Sequence, residues 1–208
     1  MTPDWPELFV VRHGETDWNA EGRYQGSQDI PLNDRGRLQA DQNGKLLARL
    51  LKRAGRHPHE FDWYCSPMGR TRETMERIRA AFAEPLPEVT YDRRLVEVSF
   101  GIYEGLLHVD LAQGDMSMAG ERKADFWYFR PPNGESYEDV AQRILDFSTL
   151  LKRPSIIVAH GGILRVLRRL VEGFSLVDTV NWFTPQDSIV HFLDGDAQVY
   201  PAGESWDD

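Results

Sequence analysis

Several features that define other protein classes are scarce in this chain of 208 residues. The single cysteine, Cys65, cannot form an internal disulfide, which predicts a protein of a reducing compartment, the cytoplasm. Acidic residues outnumber lysine and arginine, 33 against 24, and this surplus argues against a general nucleic-acid surface. The first residues lack the basic and apolar stretches of a signal peptide, and no apolar run is long enough to cross a membrane. We therefore expect neither nucleic acid nor membrane as a partner.

The remaining composition is that of an ordinary globular protein. Hydrophobic residues make up 41% and charged residues 27% of the chain, which is enough apolar material for a full core. The length predicts a single domain over residues 1–208. A small anionic substrate is compatible with the net charge of −9, because salt screens the distant charges and local arginines attract the anion. The oligomeric state stays open between a monomer and a homodimer.

Short apolar runs alternate with amphipathic stretches along the chain. Strands are predicted near residues 7–12, 61–65, 155–159 and 187–193, with 198–200 pairing after the turn Asp194-Gly195-Asp196. Helices are predicted over about 34–53, 69–83, 137–151 and 162–172. This alternation predicts an α/β fold in which helices cover both faces of a mostly parallel central sheet. The stretch 84–135, bracketed by prolines, is predicted to be less regular.

Two of the predicted strands end in the same pair of residues, a histidine followed by a glycine. One apolar run stops at His13 and the other at His160. The strands of a parallel sheet end at one edge, and open α/β folds bind their ligands there. We therefore expect the two histidines to meet at one site. Arg12 makes that site cationic, which predicts chemistry on a phosphate.

The residue types near His13 suit phosphoryl transfer. A histidine accepts a phosphoryl group only through a neutral ring nitrogen, and nearby arginines disfavour the imidazolium. Arg12 offers two parallel donors to phosphoryl oxygens. Arg70 opens a predicted helix on the same sheet edge, where backbone donors also favour an anion. His160 is either a cation that pairs with the phosphoryl group or a structural core histidine.

Phosphoryl transfer to histidine also requires a group that handles protons. An acid must protonate the departing oxygen, and a base must then activate the attacking water. One glutamate can perform both steps in turn. Glu97 and Glu104 lie close together in the sequence, and composition alone makes them equal candidates.

Taken together, these motifs resemble the histidine phosphatase superfamily in its phosphoglycerate mutase-like branch. They follow one another from about residue 8 to residue 200: RHGET at 12–16, Trp18-Asn19, Tyr24-Gln25-Gly26, SPMGRTRET at 66–74, RLVE…FGIYEG at 94–105 and AHGG at 159–162. The resemblance implies a three-layer α/β/α sandwich. It also implies roles for the catalytic residues: His13 as the phosphorylated nucleophile, Glu97 as the proton donor and acceptor, and Arg12, Arg70 and His160 as the rest of the phosphate pocket. Further contacts to phosphate or substrate are implied for Asn19, Gln25, Gly26 and Gly161.

Two positions depart from the pattern of cofactor-dependent mutases. Phe100 stands where they have a tyrosine, and His108 where they have a lysine that helps to hold the substrate carboxylate. The resemblance therefore favours a phosphatase that hydrolyses a small phosphorylated metabolite through a phosphohistidine, without metal or other cofactor. Residues 129–136 are similar to broad-substrate and α-ribazole or sugar phosphatases. The alternatives are a cofactor-dependent phosphoglycerate mutase and an inactive phospholigand-binding module, although the full set of expected catalytic residues argues against the latter.

Residues outside these motifs carry weaker signals. The stretch 106–135 is predicted to cover the pocket, and its aromatic run 126–129 either lines the pocket or packs in the core. His57 and His59 form an H-x-H pair in a loop that has no carboxylate or cysteine at the spacing of metal ligands. We therefore predict two surface histidines there and no metal site.

Overall fold

A six-stranded sheet lies at the centre of the computed structural model, which describes residues 4–109 and 126–203. The strands are β1 (Leu8–Arg12), β2 (Asp62–Cys65), β3 (Val89–Tyr91), β4 (Ser155–Ala159), β5 (Ser188–Leu193) and β6 (Asp196–Pro201). Their order across the sheet is β3-β2-β4-β1-β5-β6. The first four are parallel, whereas β5 runs antiparallel to β1 and β6 antiparallel to β5. The prediction of a mostly parallel sheet is confirmed.

Helices pack on both faces of this sheet. Those in the described ranges are α1 (Asp17–Glu21), α2 (Asp34–Arg53), α3 (Gly69–Arg79), α4 (Tyr137–Ser148), α5 (Gly161–Glu172) and α6 (Leu176–Asn181). Successive residues of a strand point to opposite faces. Leu8 and Val10 thus enter a core with α4 and α5, and Phe9 and Val11 enter a second core with α2 and α3. The result is the expected three-layer α/β/α sandwich.

The predicted boundaries differ from the structure in a few places. Strand β3 lies outside the predicted strands, because a run of three residues just after Pro87 is too short to show an alternating pattern, and it lies at the edge of the sheet, beside β2. The helix predicted over 69–83 ends at Arg79, although Phe82 still packs against the second core and so extends the apolar pattern. The predicted turn is confirmed, since Asp194 and Gly195 both have positive φ, 53° and 85°.

The register of the parallel strands fixes where the histidines leave the sheet. Arg12 pairs with Ala159, so His13 and His160 follow at the same level. The backbone N–H of His13 donates to the carbonyl of Ala159 at 3.0 Å. Cys65 pairs with Val158 on the other side of β4, which brings Ser66 to the same edge. The expected meeting of the two His-Gly pairs is confirmed.

None of the helices in residues 4–109 and 126–203 combines the length and the apolar character that a membrane crossing requires.

Candidate active site

The two histidines lie against each other at the carboxyl edge of the sheet. Their ring centroids are 5.1 Å apart, with 63° between the ring planes, and both side chains are buried. Arg12 ends β1 and Arg70 lies in the first turn of α3, so different elements bring their charges to one place. The guanidinium groups of Arg70 and Arg12 both lower the pKa of His13. Four of the predicted site residues are thus close together.

His13 has its protons arranged for nucleophilic attack. Its Nδ1 is 2.8 Å from the carbonyl oxygen of Gly14. A carbonyl only accepts, so Nδ1 carries the hydrogen and the lone pair is on Nε2. Burial, followed by the charges of Arg70 and Arg12, holds the pKa of His13 well below its ordinary value of 6.5. The imidazole is therefore neutral at physiological pH, as a phosphoryl acceptor must be.

His160, like His13, is neutral in the protein without ligand. Burial, followed by the charges of Arg70 and Arg12, holds its pKa well below the ordinary value. The pairing of a cationic His160 with a bound phosphoryl group stays a prediction. Its Nε2 is 2.8 Å from Ser66 Oγ. Its Nδ1 is buried and has no hydrogen-bond partner among the residues that the structure describes.

The guanidinium group of Arg12 makes one hydrogen bond to the protein and leaves another donor for a ligand. Its Nη1 donates to the carbonyl of Thr184 at 2.6 Å, and its Nε is buried without a partner among the described residues. Burial lowers the pKa of Arg12 to about 10, so the group stays charged at neutral pH. A charged donor that is buried without a partner is costly, and an incoming anion removes that cost.

Arg70 is tied mainly to the loop that follows α1. Its Nη1 and Nη2 donate to the carbonyls of Gln28 and Gly26 at 2.6 and 3.0 Å. When the Gln25 amide is turned so that its nitrogen meets Thr16 Oγ1, its oxygen accepts from Arg70 Nε and Nη1 at 3.0 Å. Gln25 and Gly26 therefore position Arg70, and direct contacts of theirs to substrate stay a prediction.

The start of α3 is not open to an anion, contrary to expectation. Its N-cap residue, Met68, makes no side-chain hydrogen bond to the helix. The Asp29 carboxylate accepts instead from the backbone N–H of Gly69 at 2.7 Å and lies 3.5 Å from Arg70 Nη1. A carboxylate of the protein thus occupies the helix terminus, because unpaired N–H groups there favour negative charge.

The structure distinguishes Glu97 from Glu104, the two candidates for the proton-transfer role. The Glu97 carboxylate accepts from the backbone N–H of Gly162, which follows His160 by two residues, at 3.0 Å. A Cβ atom at Gly162 would lie 2.4 Å from Glu97 Oε1, so the close approach requires glycine. Glu97 is therefore beside the histidine cluster, at the positive end of α5.

The Glu104 carboxylate is instead held by hydrogen bonds from a neighbouring loop. Its oxygens accept from the backbone N–H and hydroxyl of Ser27 at 2.9 and 2.7 Å and from the Gln28 amide at 3.0 Å. Burial raises the pKa of Glu104, but hydrogen bonds from Ser27, Gln28 and the Phe100 N–H outweigh it, so the pKa is lowered. A carboxylate held in this way is a poor proton donor.

Asn19 and Gly161 lie beside the cluster, but their predicted contacts stay untested. The Asn19 side-chain oxygen accepts from Gln186 Nε2 at 3.0 Å, and the same nitrogen is 3.2 Å from the His13 carbonyl. Gly161 opens α5, where a Cβ atom would lie 3.3 Å from Arg12 Nε.

Some groups that build the site carried no separate signal in the sequence. Thr184 acts through its carbonyl, which any residue type could supply, and Gln186 joins from a loop far along the chain. Ser66 could have been found, because it follows a predicted strand end within the motif that contains Arg70.

The aromatic residues 126–129 of the predicted cover lie in different environments. Phe126 and Phe129 line a cavity together with Phe100 and Tyr137. Trp127 is buried in the first core, whereas Tyr128 is exposed. Residues 110–125 of the predicted cover lie outside the described residues.

The two loop histidines are on the surface, as predicted, but a carboxylate joins them. Glu84 Oε2 lies 2.8 Å from His57 Nε2, and one donor atom of each of the three residues lies within 4.8 Å of the others. Glu84 is 25 residues beyond His59, so the spacing along the chain did not indicate it. His59 Nε2 bonds to the Pro85 carbonyl at 2.8 Å, so these nitrogens already have partners in the protein.

Comparison with known protein families matches residues 8–199 to the histidine phosphatase superfamily, branch 1. The chain belongs to this superfamily. A 2,3-bisphosphoglycerate-dependent phosphoglycerate mutase of Bartonella bacilliformis is 31% identical to it over 185 residues, 83% of this chain and 84% of that protein.

Solved structures of other histidine phosphatases share the fold. The α-ribazole phosphatase of Shigella flexneri superposes with a TM-score of 0.73 at 28% identity, over 94% of this chain and 95% of that one. A mycobacterial glucosyl-3-phosphoglycerate phosphatase in complex with VO3 gives 0.72 at 25% identity, over 94% and 98%. Membership of the superfamily and these phosphatase neighbours support a hydrolase, and the mutase relative is consistent with the alternative reading.

Proposed function

We propose that this histidine phosphatase hydrolyses phosphate monoesters of small metabolites through a phosphohistidine at His13, without a metal ion. One observation carries the assignment: a neutral, buried His13 whose Nε2 lone pair is next to two arginines and a second neutral histidine. This arrangement combines a nucleophile with fixed positive charge for the phosphoryl oxygens.

The first half of the reaction transfers the phosphoryl group to the protein. His13 Nε2 attacks phosphorus while the bond to the ester oxygen breaks, and the protonated Glu97 carboxyl gives its hydrogen to that oxygen. The Nδ1–H of the phosphorylated ring keeps its bond to the Gly14 carbonyl. Arg12, Arg70 and the Nδ1 side of His160 are placed to stabilise the charge on the phosphoryl oxygens.

The second half returns the protein to its starting state. The Glu97 carboxylate takes a proton from water, and the oxygen attacks phosphorus and breaks the bond to His13 Nε2. Inorganic phosphate leaves, His13 is neutral again, and Glu97 is again protonated. One carboxyl group thus serves as acid and then as base.

Two side chains, Phe100 and His108, support water over a phosphoglycerate as the acceptor of the phosphoryl group. Phe100 supplies no hydrogen-bond donor for a substrate carboxylate. The ring of His108 packs on Tyr24, with centroids 4.1 Å apart, and Phe100 packs on the same ring at 4.9 Å. The phosphoglycerate mutase reading is retained as the alternative, because the Bartonella relative is named for that activity.

The test measures phosphate release from an aryl phosphate and, separately, the fate of 3-phosphoglycerate with and without 2,3-bisphosphoglycerate. We expect hydrolysis that persists after exhaustive chelation and is abolished in His13→Asn, with His57→Asn as the matched surface control. Fast isomerisation to 2-phosphoglycerate, stimulated by bisphosphate and outrunning phosphate release, would establish the mutase instead. Vanadate binding without turnover of any ester would indicate an inactive binding module.

We also propose the domain organisation, further substrate contacts and the location of the protein in the cell. We propose one domain over 1–208 in which the stretch 106–135 covers the pocket, supported by Phe126 and Phe129 lining a cavity beside Phe100. We propose direct contacts of Asn19, Gln25, Gly26 and Gly161 to substrate or phosphate. A cytoplasmic location is supported by Cys65, a free and buried thiol whose pKa burial raises to about 12.

A further inference from the structure

Ser66 and His160 form a hydrogen-bonded pair beside His13. Both side chains are fully buried, and Ser66 Oγ is 2.8 Å from His160 Nε2. The serine backbone is held on both sides, because its N–H donates to the carbonyl of Val158 and its own carbonyl shares the Thr71 hydroxyl hydrogen with the carbonyl of Met68. The backbone bonds place the serine beside the ring, and full burial limits where its hydroxyl can turn.

The direction of this hydrogen bond follows from what else the hydroxyl can reach. His160 Nε2 is the one acceptor for the Ser66 hydroxyl hydrogen among the described residues. If Nε2 carried a hydrogen and donated to the serine, both the serine hydrogen and the Nδ1 lone pair would be buried without a partner, whereas with serine as the donor only the Nδ1–H group is unpaired. Ser66 therefore donates, and the lone pair of His160 is on Nε2.

The other ring nitrogen then carries the hydrogen of the neutral imidazole. His160 Nδ1 is buried beside His13 and has no partner among the described residues. Buried polar atoms in proteins are nearly always paired, so a donor left over in a site calls for a ligand acceptor. A phosphoryl oxygen has the acceptor chemistry that an N–H group requires.

We propose that Ser66 is a positioning residue that holds His160 in its neutral Nδ1–H tautomer. In this tautomer the uncharged imidazole donates a hydrogen bond from Nδ1 to a phosphoryl oxygen. The part concerning the phosphoryl oxygen rests on the function proposed above, whereas the tautomer does not. Without Ser66 the ring can place its hydrogen on Nε2 and turn a lone pair toward the anion, which repels it.

The tautomer is measured directly by nitrogen-15 NMR of the histidine-labelled native protein. We expect His160 to be neutral, with its hydrogen on Nδ1 and none on Nε2, and the resonance to shift when vanadate binds. A hydrogen on Nε2 with a bare Nδ1 would overturn the assignment. This measurement needs neither a variant nor turnover, so a failure of the hydrolysis proposal would leave its result interpretable.

Variants then test the consequence for the reaction. Ser66→Ala should mix the two tautomers and weaken both vanadate binding and kcat/KM by about 10–100-fold, the size of effect seen when a group that orients a metal-binding histidine is lost. Ser66→Thr keeps the hydroxyl and should restore most of the loss. Ser155→Ala is the matched control, because Ser155 is equally buried but donates to the Arg153 carbonyl. Unchanged vanadate affinity and tautomer in a folded Ser66→Ala protein would refute the role.

Discussion

Glu97 lies where a proton donor for the ester oxygen would be needed, held by a backbone N–H at the start of α5. Glu97→Gln should preserve that hydrogen bond through the amide oxygen and lose the exchangeable proton. We expect phosphoryl transfer to slow by about 10²–10⁴-fold for esters of poorly acidic alcohols. Esters of acidic phenols should lose much less, because their oxygens need little protonation. An equal loss across a series of leaving groups would argue against an acid role.

The contact between Gly162 and Glu97 leaves no room for a methyl group. A Cβ atom at Gly162 would lie 2.4 Å from Glu97 Oε1 and 3.0 Å from Val98 Cγ1. Because the first of these is the end of a flexible side chain, Gly162→Ala should displace the carboxylate more than it unfolds the protein. We expect kcat to fall by about 10²-fold, the effect of a displacement near 1 Å. Gly203→Ala, where a Cβ meets nothing within 4 Å, serves as the control.

The roles of individual site residues could be predicted from the sequence only where the residue lies in a recognisable motif. Glu97 and Glu104 looked alike in composition and differ in structure because Ser27 and Gln28 saturate one of them. His160 was expected to be either a cation or a core histidine. Its neutrality in the protein without ligand depends on burial next to Arg70, a tertiary contact that the local sequence does not indicate.

Helix α3 presents Arg70 to the site, and a side chain from another loop terminates it. Asp29 accepts from the Gly69 N–H at 2.7 Å, because the N-cap residue Met68 provides no side-chain acceptor. Asp29→Ala should lower the free energy of unfolding by about 1 kcal/mol, as for other lost helix caps. Asp29→Asn should keep most of it, since the amide oxygen still accepts. Urea unfolding measures both, and equal losses in the two variants would show that the charge and not the cap is responsible.

The main helices and strands were predictable because their apolar residues repeat with a clear period. The run 156–159 is buried on both faces, and α4 places Val140, Ile144 and Phe147 on one stripe. Strand β3 and the short helices α1 and α6 are three to six residues long, too short to show a period. The long-range cap by Asp29 depends on tertiary contact across forty residues and leaves no mark on the local sequence.

Across the whole molecule, parallel topology brings together residues that are far apart in the chain. The pairing of Arg12 with Ala159 was foreseeable, since two strands ended in the same motif. The inward carbonyl of Thr184 and the link from Gln186 to Asn19 were not, because they depend on how the segment before β5 returns over the site.

Burying two neutral histidines makes the stability of the whole protein depend on pH. The pKa values of His13 and His160 are held below the ordinary 6.5 by burial and by Arg70. The unfolded chain therefore binds protons more readily, and stability that is present above pH 6.5 is lost as the pH falls below it. Each histidine contributes at most about 1.4 kcal/mol per pH unit. Urea unfolding at pH 7.5 and 5.5 should show a smaller loss in His13→Asn/His160→Asn than in the native protein, and an equal loss would refute the linkage.

The decisive measurement is the covalent intermediate itself. Native protein is mixed with a phosphorus-32-labelled aryl phosphate and quenched within one turnover, and the labelled peptide is mapped. We predict acid-labile, base-stable label on the peptide that contains His13, formed as fast as the alcohol is released and absent from His13→Asn. Glu97→Gln should prolong the life of the label, because water then attacks the phosphohistidine without a base to take its proton. Label of the same kind and amount on His13→Asn, or rapid hydrolysis with no label on the native protein, would contradict a phosphohistidine at His13.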